Sequence, residues 1–165
     1  MDIEKYKQMV ETGDQYCFTI VFLQKRMNES EAKDDYGFTV NTLFPRIVIA
    51  GIACEIYLKA LIYLKEGKFP DKTHHLEELF KKIEDSDKQW CEQEFNKWIK
   101  EESDFYTELK NFDYDFVDWR YPYEFGWDDG SGNKSNKPIK SHVRPGSTTK
   151  FMKLLRELCI KYMPN

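Results

Sequence analysis

The apolar positions of this chain fall into helical periods almost from end to end. Over residues 3–27, Ile3, Tyr6, Val10, Cys17 and Ile20 recur at helical spacing, and Phe18, Val21 and Phe22 widen the face. This predicts a first helix, with Gly13 as the place for a kink and residues 28–35 as a polar loop. A second helix is predicted to start near Pro45, a residue suited to a first helical position, and to stop before Gly67 and Pro70. Its middle, residues 47–64, is apolar nearly all round, the pattern of the central helix of a bundle. A short helix is predicted from Thr73 and His74 through HLEELFKKI, with Thr73 as its cap. Ser86 and Gln89 then stand at capping-box spacing. Beyond them Cys91, Phe95, Trp98, Phe105, Leu109, Phe112, Phe116 and Trp119 keep a 4-3 rhythm, broken only by Glu102. That stripe predicts one long amphipathic helix ending near 118–119, because Pro122 favours extended backbone just before it. Residues 126–147 are rich in glycine, serine and lysine and predict a long mobile loop. The last helix is expected over 148–163, with Phe151, Leu154, Leu155, Leu158 and Tyr162 on one face.

The expectation is therefore an all-α protein: one domain over 1–165, a five-helix up-and-down bundle with a long loop before the last helix. Composition agrees with a packed core. The 165 residues include 12 Phe, 10 Tyr and 4 Trp, a high aromatic share for a chain that is 33% charged. So many aromatics can offset the ordering entropy, which argues against disorder. The net charge of −4 gives no global pull toward nucleic acid or an anionic membrane, so any such binding needs a local patch. The N-terminal MDIEKYKQMV has no apolar signal core. The longest charge-free run in the apolar stretch is the eight residues 47–54, far short of the ~20 that span a bilayer. A soluble, cytoplasmic protein with no membrane partner is expected. Cys17, Cys54, Cys91 and Cys159 are far apart and sit in helical apolar patterns, which predicts buried, reduced thiols.

Charge is distributed unevenly. Residues 84–118 carry a net −8, expected as the solvated back of the long helix, and residues 126–150 carry a net +3. Lys140 and Arg144 in the basic stretch suit phosphate contact, although solvated loop cations are the commoner outcome of such a run. His74 and His75 are adjacent on a predicted helix and point about 100° apart, so they do not chelate one ion readily. No metal or other cofactor motif is present, and His74 is expected to cap or pack. Glu55 and Lys59 stand four apart on the buried helix, in the favourable order for an ion pair. A buried pair needs further satisfaction, and a structural network joining Glu55 to Arg120 is expected, with Glu102 facing a cleft, a partner subunit or solvent. The densest aromatic cluster is WRYPYEFGW, residues 119–127. It suits two roles equally: an aromatic plug under a loop, or a base- and phosphate-binding rim using Arg120, Tyr121, Tyr123 and Trp127.

Three segments together resemble a known family. CEIYLKALIYLKEGKFPDKTHHLEELF is similar to the signature of HEPN domains (higher eukaryotes and prokaryotes nucleotide-binding). Glu55, Lys59, Ala60 and Leu61 match its E-x-x-x-K-A-L, and Thr73, His74, Leu76 and Leu79 its T-H-x-L-x-x-L. WRYPYE resembles the family's R-Y-P element through Arg120, Tyr121 and Pro122. The resemblance implies a helical homodimer with clefts near its interface. It also implies nucleotide or RNA as ligand, a toxin–antitoxin or phage-defence setting, and a nucleotidyltransferase-type or antitoxin partner. Many members are metal-independent endoribonucleases built on R-x(4–6)-H, but positions 125–127 here are Phe125, Gly126 and Trp127. The resemblance thus implies a non-catalytic binding module. The alternatives are a ribonuclease pairing Arg120 with His142 or His74, and a purely structural bundle.

Overall fold

A computed structural model describes residues 2–31, 36–70, 72–100, 103–120, 142, 144 and 146–164, with side chains except at 30, 31, 36–44, 119 and 120. The described residues form six helices and no strand: α1 (Ile3–Glu31), α2 (Tyr36–Glu66), α3 (Leu76–Lys82), α4 (Asp85–Ile99), α5 (Phe105–Arg120) and α6 (Ser147–Lys161). The all-α expectation holds.

The five-helix count does not hold, because the long aromatic stripe belongs to two helices. Lys100 closes α4 in a left-handed conformation with φ 52°. Asp104 then caps α5, accepting from the Thr107 N–H at 3.0 Å and the Thr107 hydroxyl at 2.6 Å. Asn96 accepts the Phe105 N–H at 3.1 Å, tying the new helix start back to the old helix end. The stripe survives the break because Phe95 and Phe105 meet edge to face, with centroids 5.6 Å apart, over Phe151 of α6.

Other boundaries also differ from expectation. Pro45 lies inside α2, which begins at Tyr36, and α1 runs on to Glu31 through part of the expected polar loop. Glu84, not Ser86, precedes α4, so the capping-box spacing is coincidental. Ser147 rather than Thr148 opens α6. His74 and His75 are not on a helix: they precede α3 in extended backbone, with His75 at the cap position.

Helix α2 is the central element, packing on α1, α3, α5 and α6. Ala50, Ala53, Cys54, Tyr57, Leu58, Ala60, Leu61 and Ile62 are all buried. Two glycines explain how closely its neighbours approach. A Cβ on Gly13 of α1 would stand 2.5 Å from the Tyr57 ring, and one on Gly51 would stand 2.1 Å from the Phe116 ring. Gly13 is thus a contact point within a continuous α1. Residues 45–66 are long and apolar enough to cross a membrane by length and composition, yet 61% of the apolar window is buried against the other helices. Cys54, Cys91 and Cys159 are buried free thiols and Cys17 is half-buried. Burial pushes the Cys54 thiol pKa up, as expected for inert core cysteines.

Candidate functional site: three histidines held by carboxylates

Every histidine of the chain is paired with a carboxylate through Nδ1. His74 Nδ1 lies 2.9 Å from Glu55 Oε1 on α2. Lys59 Nζ donates to the same oxygen at 2.8 Å. His75 turns the other way, with Nδ1 3.2 Å from Asp113 Oδ2 on α5. Asp113 Oδ1 also accepts the Leu76 N–H at 2.6 Å, so a side chain 37 residues away caps α3. Thr73, the expected cap, accepts the His75 N–H at 3.2 Å and donates to Glu78 at 2.7 Å. Burial raises the Asp113 pKa, and the hydrogen bonds from Leu76 and His75 offset this only in part. The two adjacent histidines therefore stitch the start of α3 between α2 and α5 rather than share a ligand.

The third pair joins α5 to the segment before α6. Asp115 is fully buried and accepts the His142 N–H at 2.8 Å and the His142 Nδ1–H at 2.8 Å. The His142 ring meets Tyr114 edge-on, with centroids 4.8 Å apart. Its side chain is 50% exposed. A carboxylate on Nδ1 selects the tautomer with the hydrogen there and leaves Nε2 as the outward basic nitrogen. Among the described residues Nε2 has no partner.

Two turns earlier on the same face of α5, Glu108 repeats the arrangement. It accepts the Ser147 hydroxyl at 2.8 Å and the Arg144 N–H at 3.2 Å, and the Arg144 guanidinium lies 3.3 Å away. Asp115 and Glu108 are seven residues apart, about 10.5 Å of helix rise. They hold His142 and Ser147 respectively, so residue 142 lies toward the C-terminal end of α5 and residue 147 toward its N-terminal end. Glu108 also places negative charge at the N-terminus of α6, where the helix dipole favours it.

These contacts correct one expectation about charge. The acidic stretch is not a uniformly solvated helix back: Asp87, Glu108, Asp113 and Asp115 are buried. Asp87 holds Tyr162 at 2.9 Å and Lys161 at 3.3 Å, latching the end of α6 to the start of α4. Asp87, Asp113, Asp115 and Glu108 were not singled out from the sequence. Their pattern is that of a polar helix face, and only the packed segments above them distinguish burial from solvation.

The expected site residues divide as follows. Glu55 and Lys59 form the expected ion pair on α2, and the network extends to His74. Arg120 is the last residue of α5, five residues beyond Asp115, and its side chain lies outside the described residues. Its expected link to Glu55 lies outside them too. So do Glu102, Tyr121, Tyr123, Trp127 and Lys140. Arg144 is engaged with Glu108, so it is part of the loop anchor. No group of three or more His, Cys, Asp or Glu residues able to hold a metal ion occurs among the described residues.

Compared with known families, residues 47–127 match the family model of the HEPN domain. No curated protein and no solved structure gave a match.

Proposed function

Across residues 47–127 the chain belongs to the HEPN domain family, with its nucleotide- or RNA-related function, and on that premise we propose a binding module whose ligand is nucleotide or RNA. Its site is at the C-terminal end of α5, with Arg120 as the phosphate contact and the aromatic residues 121–127 as stacking groups. The observation that carries this reading is the anchoring of the 142–147 segment. Buried Asp115 and Glu108 hold His142, Arg144 and Ser147 against the helix that ends in Arg120. A toxin or defence role, with an antitoxin or nucleotidyltransferase-type partner, belongs to the same proposal.

Titration of labelled single-stranded RNA and of nucleoside triphosphates into the purified protein tests it. The expected result is binding that weakens with salt and falls about ten- to hundredfold in Arg120→Ala, since a charged phosphate contact contributes about 1.5–3 kcal/mol. Binding indifferent to Arg120, or none at all, overturns it.

The Asp115–His142 bond supports a second reading, a metal-independent endoribonuclease. His142 Nε2 would take the proton of the 2′-hydroxyl while Arg120 offsets charge on the phosphate. The 2′-oxygen then attacks phosphorus, the 5′-oxygen leaves and takes a proton from water, and a 2′,3′-cyclic phosphate end results. RNA cleavage in EDTA that disappears in both Arg120→Ala and His142→Ala is its expected signature. Intact RNA under those conditions eliminates it.

A further inference from the structure

Helix α1 carries an apolar patch on its outer face. Phe18, Val21 and Phe22 are 70%, 56% and 61% exposed, on adjacent turns. Single exposed apolar residues are ordinary, but three contiguous ones mark a surface that meets a protein, a membrane or a ligand. Beside them a groove of about 600 Å³ opens between α1 and α6, with Ile20, Val21, Thr149 and Lys153 among its lining residues. This face is separate from the carboxylate-held histidines, since α1 packs chiefly on α2 and α6.

The polar groups around the patch indicate what covers it. Those of the groove are answered within the chain: Gln24 donates to Asn28 at 2.8 Å and accepts from Arg46, and Glu29 holds Arg26 at 3.1 Å. The Thr19 hydroxyl, next to Phe18, donates to the Gln15 carbonyl at 3.1 Å, so burying it strands no donor. Asp14, one turn before Phe18, is neutralised by Arg156 at 2.7 Å. Two cations are left without an ion-pair partner among the described residues. Lys25 follows Val21 by four residues and continues the same face, and Lys153 stands across the groove on α6. Glu11 is the nearest acid of α1 without an ion-pair partner among the described residues. It lies two turns before Phe18, about 10.5 Å along the axis.

The arrangement is an apolar knob bordered by charge of one sign. A protein surface mixes both signs, whereas a bilayer of acidic lipids offers an apolar interior under a layer of phosphates. We propose that the outer face of α1 docks on an anionic lipid surface. Phe18, Val21 and Phe22 enter the boundary between headgroups and acyl chains. Lys25 and Lys153 reach the phosphates, with their methylene stems along the apolar groove. The net charge of −4 disfavours contact through the rest of the molecule, so the patch fixes the orientation of docking. Three apolar side chains and two cations make the contact reversible, far short of an inserted helix.

Co-sedimentation of the full chain with vesicles of phosphatidylcholine alone, or of equal parts phosphatidylcholine and phosphatidylglycerol, tests this. Binding is expected on the acidic vesicles, stronger than on the neutral ones and weakened by salt. Lys25→Gln and Lys153→Gln are each expected to weaken it about fivefold, the equivalent of ~1 kcal/mol per cation near the surface. Phe18→Ser is expected to weaken it by about tenfold or more, with circular dichroism to check helicity. Lys25 and Lys153 are exposed, so the lysine variants remain decisive if Phe18→Ser fails to fold. No binding to the acidic vesicles, equal binding to both kinds, or binding indifferent to all three substitutions overturns the proposal. Two parallel measurements identify the other occupants. Binding of free dodecanoate below its micelle concentration, without binding to vesicles, assigns the groove to a soluble amphiphile and overturns the lipid surface. Self-association in sedimentation velocity that disappears in Phe18→Ser, without vesicle binding, assigns the face to a protein contact and overturns it too.

Discussion

Helices α1 and α5 depart from ordinary amphipathicity in opposite ways. Along α1, large apolar side chains at Phe18, Val21 and Phe22 face outward. Along α5, the acids Glu108, Asp113 and Asp115 face inward. The inward acids are each satisfied by N–H or O–H donors from elsewhere in the chain. They cap α3 and clamp the segment before α6. The outward apolar residues have no such partner among the described residues. The contrast separates two kinds of unusual position: buried polarity completed within the chain, and apolarity left exposed among the described residues.

The largest effect is expected at Asp115. Asp115→Ala removes the acceptor of both His142 hydrogen bonds and leaves a void under the segment. Loss of about 2–3 kcal/mol of unfolding free energy is expected by urea denaturation, with exchange of the His142 amide accelerated. A variant that unfolds like the wild type would mean that the inward acids of α5 hold nothing together.

Glu55→Ala is expected next, at about 1–2 kcal/mol. Its carboxylate is nearly buried, and its loss strands Lys59 and frees His74. The effect should exceed the roughly 0.5 kcal/mol of an ordinary surface change in thermal melts. A melt identical to wild type would reduce the pair to a surface contact.

Two carboxylates give pH effects of opposite sign. At Asp14 burial favours the neutral acid, but hydrogen bonds from Arg156 and Tyr57 outweigh it, so the folded pKa lies below the ordinary 3.8. Its stabilisation is present above pH ~4 and is lost as pH falls through the folded value. Asp14→Asn should flatten that part of the acid limb. At Asp113 burial dominates and the folded pKa is raised above 3.8. Its contribution is complete below pH ~4 and is lost as pH rises through the raised value. Asp113→Asn, which can still accept the Leu76 N–H, should therefore gain relative to wild type between pH 3 and pH 7. Urea midpoints at the two pH values decide both. Matching shifts in the same direction would contradict the assigned causes.

The sequence pattern carried the helical class, the central position of α2 and the Glu55–Lys59 pair, because apolar periodicity and i,i+4 spacing are local signals. It missed the break at Lys100 because Phe95 and Phe105 rejoin one aromatic core across it. Asp104 after Ser103 was the available cap signal, and the continuing stripe concealed it. It also placed the acids of 84–118 in solvent, on the back of the long helix. An acid on a helix reads the same whether water or a folded-back segment satisfies it, and the partner of Asp115 lies 27 residues downstream. The anchoring of His142 is for this reason visible only in three dimensions.

The smallest expected stability change tests the other half of the contrast. Phe18 is 70% exposed, so Phe18→Ala removes little buried surface within the chain. By urea denaturation, its unfolding free energy should stay within about 0.5 kcal/mol of wild type. A larger loss would place Phe18 in the fold of the single chain, and the apolar face of α1 would need nothing outside the chain to explain it. A change within that bound leaves Phe18 idle in the fold, so that any role it has, unlike that of Asp115, lies in what the outer face of α1 meets.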